Sequence, residues 1–260
     1  MKLKLYQVDA FADQVFKGNP AAICPLDQWL DDDLMQAIAV ENNLSETAYF
    51  VPKGDGFELR WFTPAAEVDL CGHATLASAY VVFSHISPEA EEVAFDTRSG
   101  RLTVTRGKDG SLAMDFPSQP GREIAVSEEV IRALGAEPSA LFLSEDLMAV
   151  FERESQIRAI EPELPAVKKL DGRGVIITAP GEEVDFVSRF FAPKHNIPED
   201  PVTGSAHCML TPYWAERLGK TDLSARQISA RGGDLACTLE GERVRIAGRA
   251  AEYMIGDISL

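Results

Sequence analysis

Cysteine is scarce in this chain, and its placement excludes two readings at once. Cys24, Cys71, Cys208 and Cys237 form no CxxC pair, so neither a disulfide scaffold nor a zinc ribbon is expected. A reducing cytoplasm is the expected setting. Histidine is equally sparse: His73, His85, His195 and His207 fall at no ligand spacing, and no metal is expected. Long apolar runs are missing too. The longest, around 74–83, is far too short to span a bilayer. The opening residues 1–8 alternate like a strand and lack a signal-peptide core. Basic residues are outnumbered, 25 against 41 acidic, for a net charge of −16. That balance argues against nucleic acid and against anionic membranes as partners. No GxGxxG is present, and Gly219-Lys220-Thr221 lacks the first glycine of a P-loop, because position 214 is Trp214.

What the chain does have is a repetition. Arg60-Trp61-Phe62-Thr63-Pro64, followed by Glu67 to Thr75, returns as Arg189-Phe190-Phe191-Ala192-Pro193, followed by Glu199 to Ala206. The offset between Arg60 and Arg189 is 129, about half the chain. Upstream, 44–52 lies opposite 172–180; downstream, 97–102 lies opposite 230–235. A steady offset of this kind indicates one supersecondary unit used twice. The halves differ at two positions: Glu46 stands opposite Gly174, and Cys71 opposite Asp200. A carboxylate kept in only one copy is not required by the shared scaffold, which makes Glu46 a candidate for chemistry.

Each half reads as strands interleaved with few helices. Asp31-Asp32-Asp33 opens a helix with Leu34, Ile38 and Ala39 inward. The strand through 44–51 puts Glu46 on one face with Leu44, Ala48 and Phe50, an apolar setting that would strip water from the carboxylate. The segments starting at His73 and at Thr203 read as helices rich in small residues, as expected of helices enclosed by sheet. Pro117 to Gly121 is the linker candidate, dividing the chain into 1–117, carrying Glu46, and 118–260, whose last strand could return to the first half.

The candidate site residues follow from this frame. Glu46 is the candidate general acid/base. Gly72-His73 and Thr203-Gly204-Ser205 each open a helix, where free N–H groups and the positive helix end favour an anion; the plainer reading is capping by Thr203 and a glycine turn. His73 could carry a proton or donate to substrate, and Asp200 could orient an amine or hydroxyl. Cys71 reads as a small buried residue, although a helix start also activates thiols.

Together the motifs resemble the PhzF-like family, named for phenazine biosynthesis. The resemblance rests on Val8-Asp9-Ala10-Phe11, Gly18-Asn19-Pro20-Ala21-Ala22, Leu44-Ser45-Glu46-Thr47, Cys71-Gly72-His73-Ala74-Thr75, Glu199 to Ala206 and Arg231-Gly232-Gly233. It covers the chain end to end. It implies an α+β, diaminopimelate epimerase-like fold: two pseudo-symmetric halves, each a mixed barrel around a central helix, with the active site in the cleft between them. It further implies a cofactor-independent isomerase acting on a small carboxylated substrate, similar to trans-2,3-dihydro-3-hydroxyanthranilate isomerase, and a homodimer. By position, Glu46, His73 and Asp200 match catalytic residues, and Asn19, Ser45, Gly72, Gly204 and Ser205 match substrate-binding residues. The epimerase relatives use two cysteines; here Cys71 remains and Asp200 replaces the other. The phenazine enzyme carries Arg-Pro-Ser where this chain has Arg231-Gly232-Gly233. A single-base epimerase or racemase, and a non-catalytic partner-binding protein, remain the competing readings.

Overall fold

The computed structural model describes residues 1–260, which divide into two units: Met1–Asp115 with Ala247–Leu260, and Phe116–Ile246. No helix is long and apolar enough to cross a membrane.

In the first unit, β1 (Lys2–Ala10) pairs antiparallel with β2 (Asn19–Pro25). Helix α1 (Asp32–Asn42) then crosses over to β3 (Glu46–Lys53), which lies parallel to β2. Asp31 caps α1 by accepting from Asp33 N, and Asn43 ends it in the left-handed conformation, φ 49°. Met35, Ile38 and Ala39 are its buried residues; Leu34, expected inward, is only half-buried because the packed stripe falls one position later. β3 runs antiparallel to β4 (Gly56–Phe62), which meets the two-residue β5 (Glu67–Val68). Helix α2 (Gly72–Val81) and a π-turn at Val82–Ile86 lead to β6 (Glu92–Thr97), parallel to β4. β7 (Gly100–Arg106) and β8 (Leu112–Pro117) extend the sheet antiparallel.

β3 is buried from Glu46 to Val51, so both of its faces are covered. Tyr49 and Val51 face α1, where the Tyr49 hydroxyl donates to Met35 O at 2.8 Å. Alternation turns Glu46, Ala48 and Phe50 to the other face. Helix α2 is buried nearly all round and packs on β1, β2 and β3. Its two central hydroxyls are satisfied within the helix: Thr75 Oγ1 donates to Cys71 O and Ser78 Oγ to Ala74 O. A polar helix can therefore sit inside a sheet without unpaired hydroxyls.

The second unit repeats the order. β9 (Arg122–Ile124) precedes α3 (Glu128–Leu134), capped by Ser127, and then β10 (Ala140–Leu143) pairs antiparallel with β11 (Leu147–Val150). Short helices α4 (Glu154–Ala159) and α5 (Leu164–Val167) cross to β12 (Val175–Pro180), parallel to β11. β13 (Phe186–Ala192) is antiparallel to β12 and meets a short β14 (Ile197–Asp200). Helix α6 (Gly204–Leu218) leads to β15 (Asp222–Gln227), parallel to β13, then β16 (Gly233–Glu240) antiparallel, and β17 (Arg243–Gly248). The final strand, β18 (Ala250–Ser259), belongs to the first unit and pairs antiparallel with β1.

Strand for strand, β1 to β7 and β10 to β16 share one sequence of antiparallel and parallel steps, which is the duplication read from the sequence. The repeated Arg and Glu are its struts. Arg60 grips Glu67 through Nε and Nη2 at 2.7 and 2.8 Å, and Arg189 grips Glu199 at 2.7 and 3.0 Å. Each guanidinium also lies over the ring two residues on, Phe62 or Phe191. Forked pairs of this kind fix the loop that delivers the chain into α2 or α6.

Pro212 inside α6 removes one helical donor, freeing Cys208 O, and Gln119 N supplies the missing bond at 3.0 Å. Trp214 is fully buried, stacked on Phe186, with Nε1 donating to Thr178 Oγ1.

Gly174, the counterpart of Glu46, has no room for any side chain. A Cβ there would lie 2.4 Å from Phe190 Cζ and 3.0 Å from Phe191 O. The carboxylate is confined to the first unit by packing. Gly174→Ala is expected to destabilise the protein by about 1–3 kcal/mol through overpacking, read as a lower urea midpoint at constant slope.

Candidate active site

Five of the residues singled out in the sequence converge inside the first unit. Parallel pairing sets Ala21 beside Glu46, bringing the start of β2 next to the start of β3. Asn19 Nδ2 lies 3.2 Å from His73 Nδ1, and Ser45 Oγ donates to Asn19 Oδ1 at 3.4 Å. His73 Nε2 lies 3.0 Å from Glu46 Oε2. Gly72 opens α2 immediately before His73. Glu46 and His73 are only 8% and 6% exposed, so their attraction is weakly screened.

Contact between Glu46 and His73 is close but not aligned as a hydrogen bond, and Glu46 Oε2 has no hydrogen-bonding partner. That oxygen is held by charge with its lone pairs still available. Burial favours a neutral imidazole at His73, yet the Glu46 carboxylate beside it outweighs that cost, and the ring holds its proton well above the ordinary histidine range. Asn19 suits this state. With its amide turned, Oδ1 accepts from the Nδ1–H while Nδ2 donates to Ser45 Oγ, and amide O and N are interchangeable in such a network. Cys71 is buried, as expected, but it is not isolated: Sγ lies 3.5 Å from His73 Nδ1. Burial pushes its thiol up, aided by Glu46, so the sulfur rests protonated.

Both site helices start without a side-chain cap. Cys71 at α2 and Thr203 at α6 make no cap bond, whereas Asp31 and Ser127 cap the outer helices α1 and α3. Capping by Thr203, the plainer sequence reading, does not occur; Thr203 Oγ1 donates to Asp200 Oδ2 instead. The first-turn N–H groups of α2 and α6 thus keep their capacity for an anion.

In the second unit, Asp200, Gly204 and Ser205 gather around the start of α6. Two residues that the sequence reading passed over hold this group. Gln227, fully buried, accepts from Thr203 N at 2.9 Å and donates to Asp200 O at 2.7 Å. Arg173 forks onto Asp146 and donates from Nη2 to Ser205 Oγ at 2.8 Å. The carboxylate of Asp146 outweighs burial in keeping that guanidinium charged. Because Ser205 Oγ accepts from Arg173, its own O–H is left to donate. Arg173 lies opposite Ser45 in the duplicated register, a signal the sequence did contain. The turn at Gly232, φ +69°, is tied to the loop before α6 through Ser229, which accepts from Gly232 N and donates to Pro201 O.

Other histidines take no part. His207 Nδ1 donates to Thr203 O, and burial pulls its pKa down to about 4, so it is a neutral core residue. His85 pairs with Glu252 in an exposed contact.

The family model for PhzC-PhzF, phenazine biosynthesis-like protein, matches residues 8–256. The chain is 52% identical to an uncharacterized isomerase of Pseudomonas aeruginosa, with all of both chains covered. It superposes on a crystal structure of a PhzF family protein from Enterococcus faecalis with a TM-score of 0.98 and 49% identity, again covering all of both chains. A hydroxyproline epimerase from Agrobacterium vitis, at 12% identity and a TM-score of 0.63 over 100% of this chain and 93% of that one, shares the fold. The chain therefore belongs to the phenazine biosynthesis-like family.

Proposed function

We propose that this isomerase moves a proton within a small carboxylated substrate, with Glu46 as the general acid/base. The carrying observation is the buried Glu46 carboxylate, set against the His73 imidazolium yet with Oε2 free of any aligned hydrogen bond. Such an oxygen can take a proton from an acidified C–H without first breaking a strong bond. As the proton leaves one carbon, the electron pair shifts along the conjugated system. Glu46 then returns the proton to a second carbon, and the product has the substrate's atoms. No redox change is involved, and the step calls on no cofactor. His73 stabilises the carboxylate before transfer and is close enough to donate as Glu46 becomes neutral. Gly72, with the uncapped N–H groups of α2, is assigned to an oxyanion.

Asn19 and Ser45 orient His73 from behind. Asp200, Gly204 and Ser205 are assigned to substrate contacts, with Gly204 and Ser205 holding a carboxylate, Arg173 presetting the Ser205 donor, and Gln227 fixing the loop. Substrates similar to trans-2,3-dihydro-3-hydroxyanthranilate are the first class to assay.

In heavy water, Glu46→Gln is expected to lower deuterium incorporation into that substrate by about 10²–10⁴-fold while binding persists. Unchanged exchange would remove Glu46 from the mechanism. Chiral analysis of the product separates this reading from epimerisation: migration yields a new constitutional isomer, epimerisation only an inverted centre. Arg173→Lys keeps the charge but loses the fork. It is expected to raise KM about tenfold, equivalent to about 1.4 kcal/mol, with kcat changed less than about threefold.

A further inference from the structure

Two buried side-chain atoms of the first unit lack a hydrogen-bond partner, and they are complementary: Glu46 Oε2 accepts, whereas Trp61 Nε1 donates. The other two tryptophans are satisfied. Trp29 Nε1 donates to Glu58 Oε2 at 3.1 Å, and Trp214 Nε1 to Thr178 Oγ1 at 3.0 Å. Trp61 is only 1% exposed, and its N–H is unmet. A buried indole N–H ordinarily finds an acceptor, because an unpaired one forfeits the bond that water would have made. The duplicated position carries Phe190, which has no donor at all, so the scaffold does not require one here.

Strand register puts this donor beside Glu46. β3 and β4 pair Thr47 with Phe62 and Ala48 with Trp61, which sets position 46 opposite 63 and Trp61 diagonally across from Glu46. Diagonal neighbours lie roughly 7–8 Å apart, within reach of an aromatic ring. Tyr49 and Phe62 pack toward α1, so Trp61 shares the opposite face with Glu46, Ala48 and Phe50. The second unit repeats the register: β12 and β13 pair Ile176 with Phe190, which makes Phe190 diagonal to Gly174. There the ring tip reaches the side-chain position itself, since a Cβ at Gly174 would lie 2.4 Å from Phe190 Cζ. The same diagonal lays the Trp61 indole along the Glu46 side chain.

We propose that Trp61 is a substrate-contacting residue that sets specificity: its indole N–H donates to an oxygen substituent of the substrate held against Glu46. A hydroxyl or carbonyl oxygen satisfies the donor. A bare C–H leaves it unmet, and a protonated amine sets two donors against each other. Both unpaired atoms are enclosed, so a group that reaches Glu46 Oε2 enters the space that Trp61 bounds. The inference rests on the assignment of the Glu46 face as the substrate site; it does not require Glu46 to be the base.

Two stable aromatic carboxylates that differ by one hydroxyl, 3-hydroxyanthranilate and anthranilate, test this by binding to the full-length protein. The wild type is expected to bind the hydroxylated compound at least about tenfold more tightly, and Trp61→Phe to narrow that ratio to within about twofold. In ¹H–¹⁵N spectra, the indole N–H signal lost in Trp61→Phe is expected to move on addition of 3-hydroxyanthranilate, while those of Trp29 and Trp214 stay. Should Trp61→Phe fold poorly, Trp29→Phe and Trp214→Phe assign the third signal by elimination. No preference for the hydroxylated compound in the wild type, an undiminished ratio in Trp61→Phe, or a Trp61 signal unmoved at saturation would overturn the contact. Full deuterium exchange by Glu46→Gln would sink only the reading of Glu46 as the base, because both binding readouts are taken without turnover.

Discussion

A carboxylate and an imidazolium held 3.0 Å apart in a nearly water-free setting are the constraint around which the first unit is built. Burying either charge alone costs several kcal/mol, and the pair is tolerable only with both partners present and further polar support. The structure supplies that support. β2 delivers Asn19, β3 delivers Glu46 in parallel register beside it, and α2 begins where His73 can meet both. Enclosing α2 in sheet is possible because its two central hydroxyls are satisfied within the helix, which leaves the Glu46–His73 pair as the charged contact at its start.

Duplication separates what the fold needs from what the chemistry needs. The Arg60–Glu67 and Arg189–Glu199 forks occur in both units and fix the loops entering α2 and α6. Their third nitrogens also serve structure, Arg60 on Asp32 and Arg189 on the carbonyls of Ile157 and Ile160. Uncapped helix starts are likewise common to both. The carboxylate is not: Phe190 and the backbone of Phe191 fill the space that a side chain at Gly174 would require. In that register the second unit offers Arg173, a fixed cation aimed at the start of α6. One scaffold thus carries a buried carboxylate in one copy and a positively charged arginine in the other.

Much of this was legible in the chain itself. The offset of 129 announced the repeated unit, and alternation along 44–51 placed Glu46 on a sheltered face. Asn19, Ser45, Gly72 and His73 came from motifs whose members meet through parallel strand pairing. What stayed hidden depends on distant contacts. Nothing local links Arg173 to Asp146, 27 residues away, or to Ser205, 32 residues away. Gln227 acts on Thr203 and Asp200 from another strand. Cys71 read as filler because sequence does not reveal that its sulfur touches the His73 ring. Thr203 read as a cap because its residue type allows one, while tertiary structure spends its hydroxyl on Asp200.

The charged state of the central pair is open to direct measurement by ¹⁵N NMR of His73 across neutral and alkaline pH. A pKa raised on folding means that the pair's stabilisation is full below the unfolded value near about 6.5 and is lost as pH rises through the higher folded value. The account predicts an imidazolium signal for His73 persisting well above that value in the wild type and a markedly lower midpoint in Glu46→Gln, while His207 stays neutral down to about 4. A neutral His73 ring at pH 7 in the wild-type protein would contradict it.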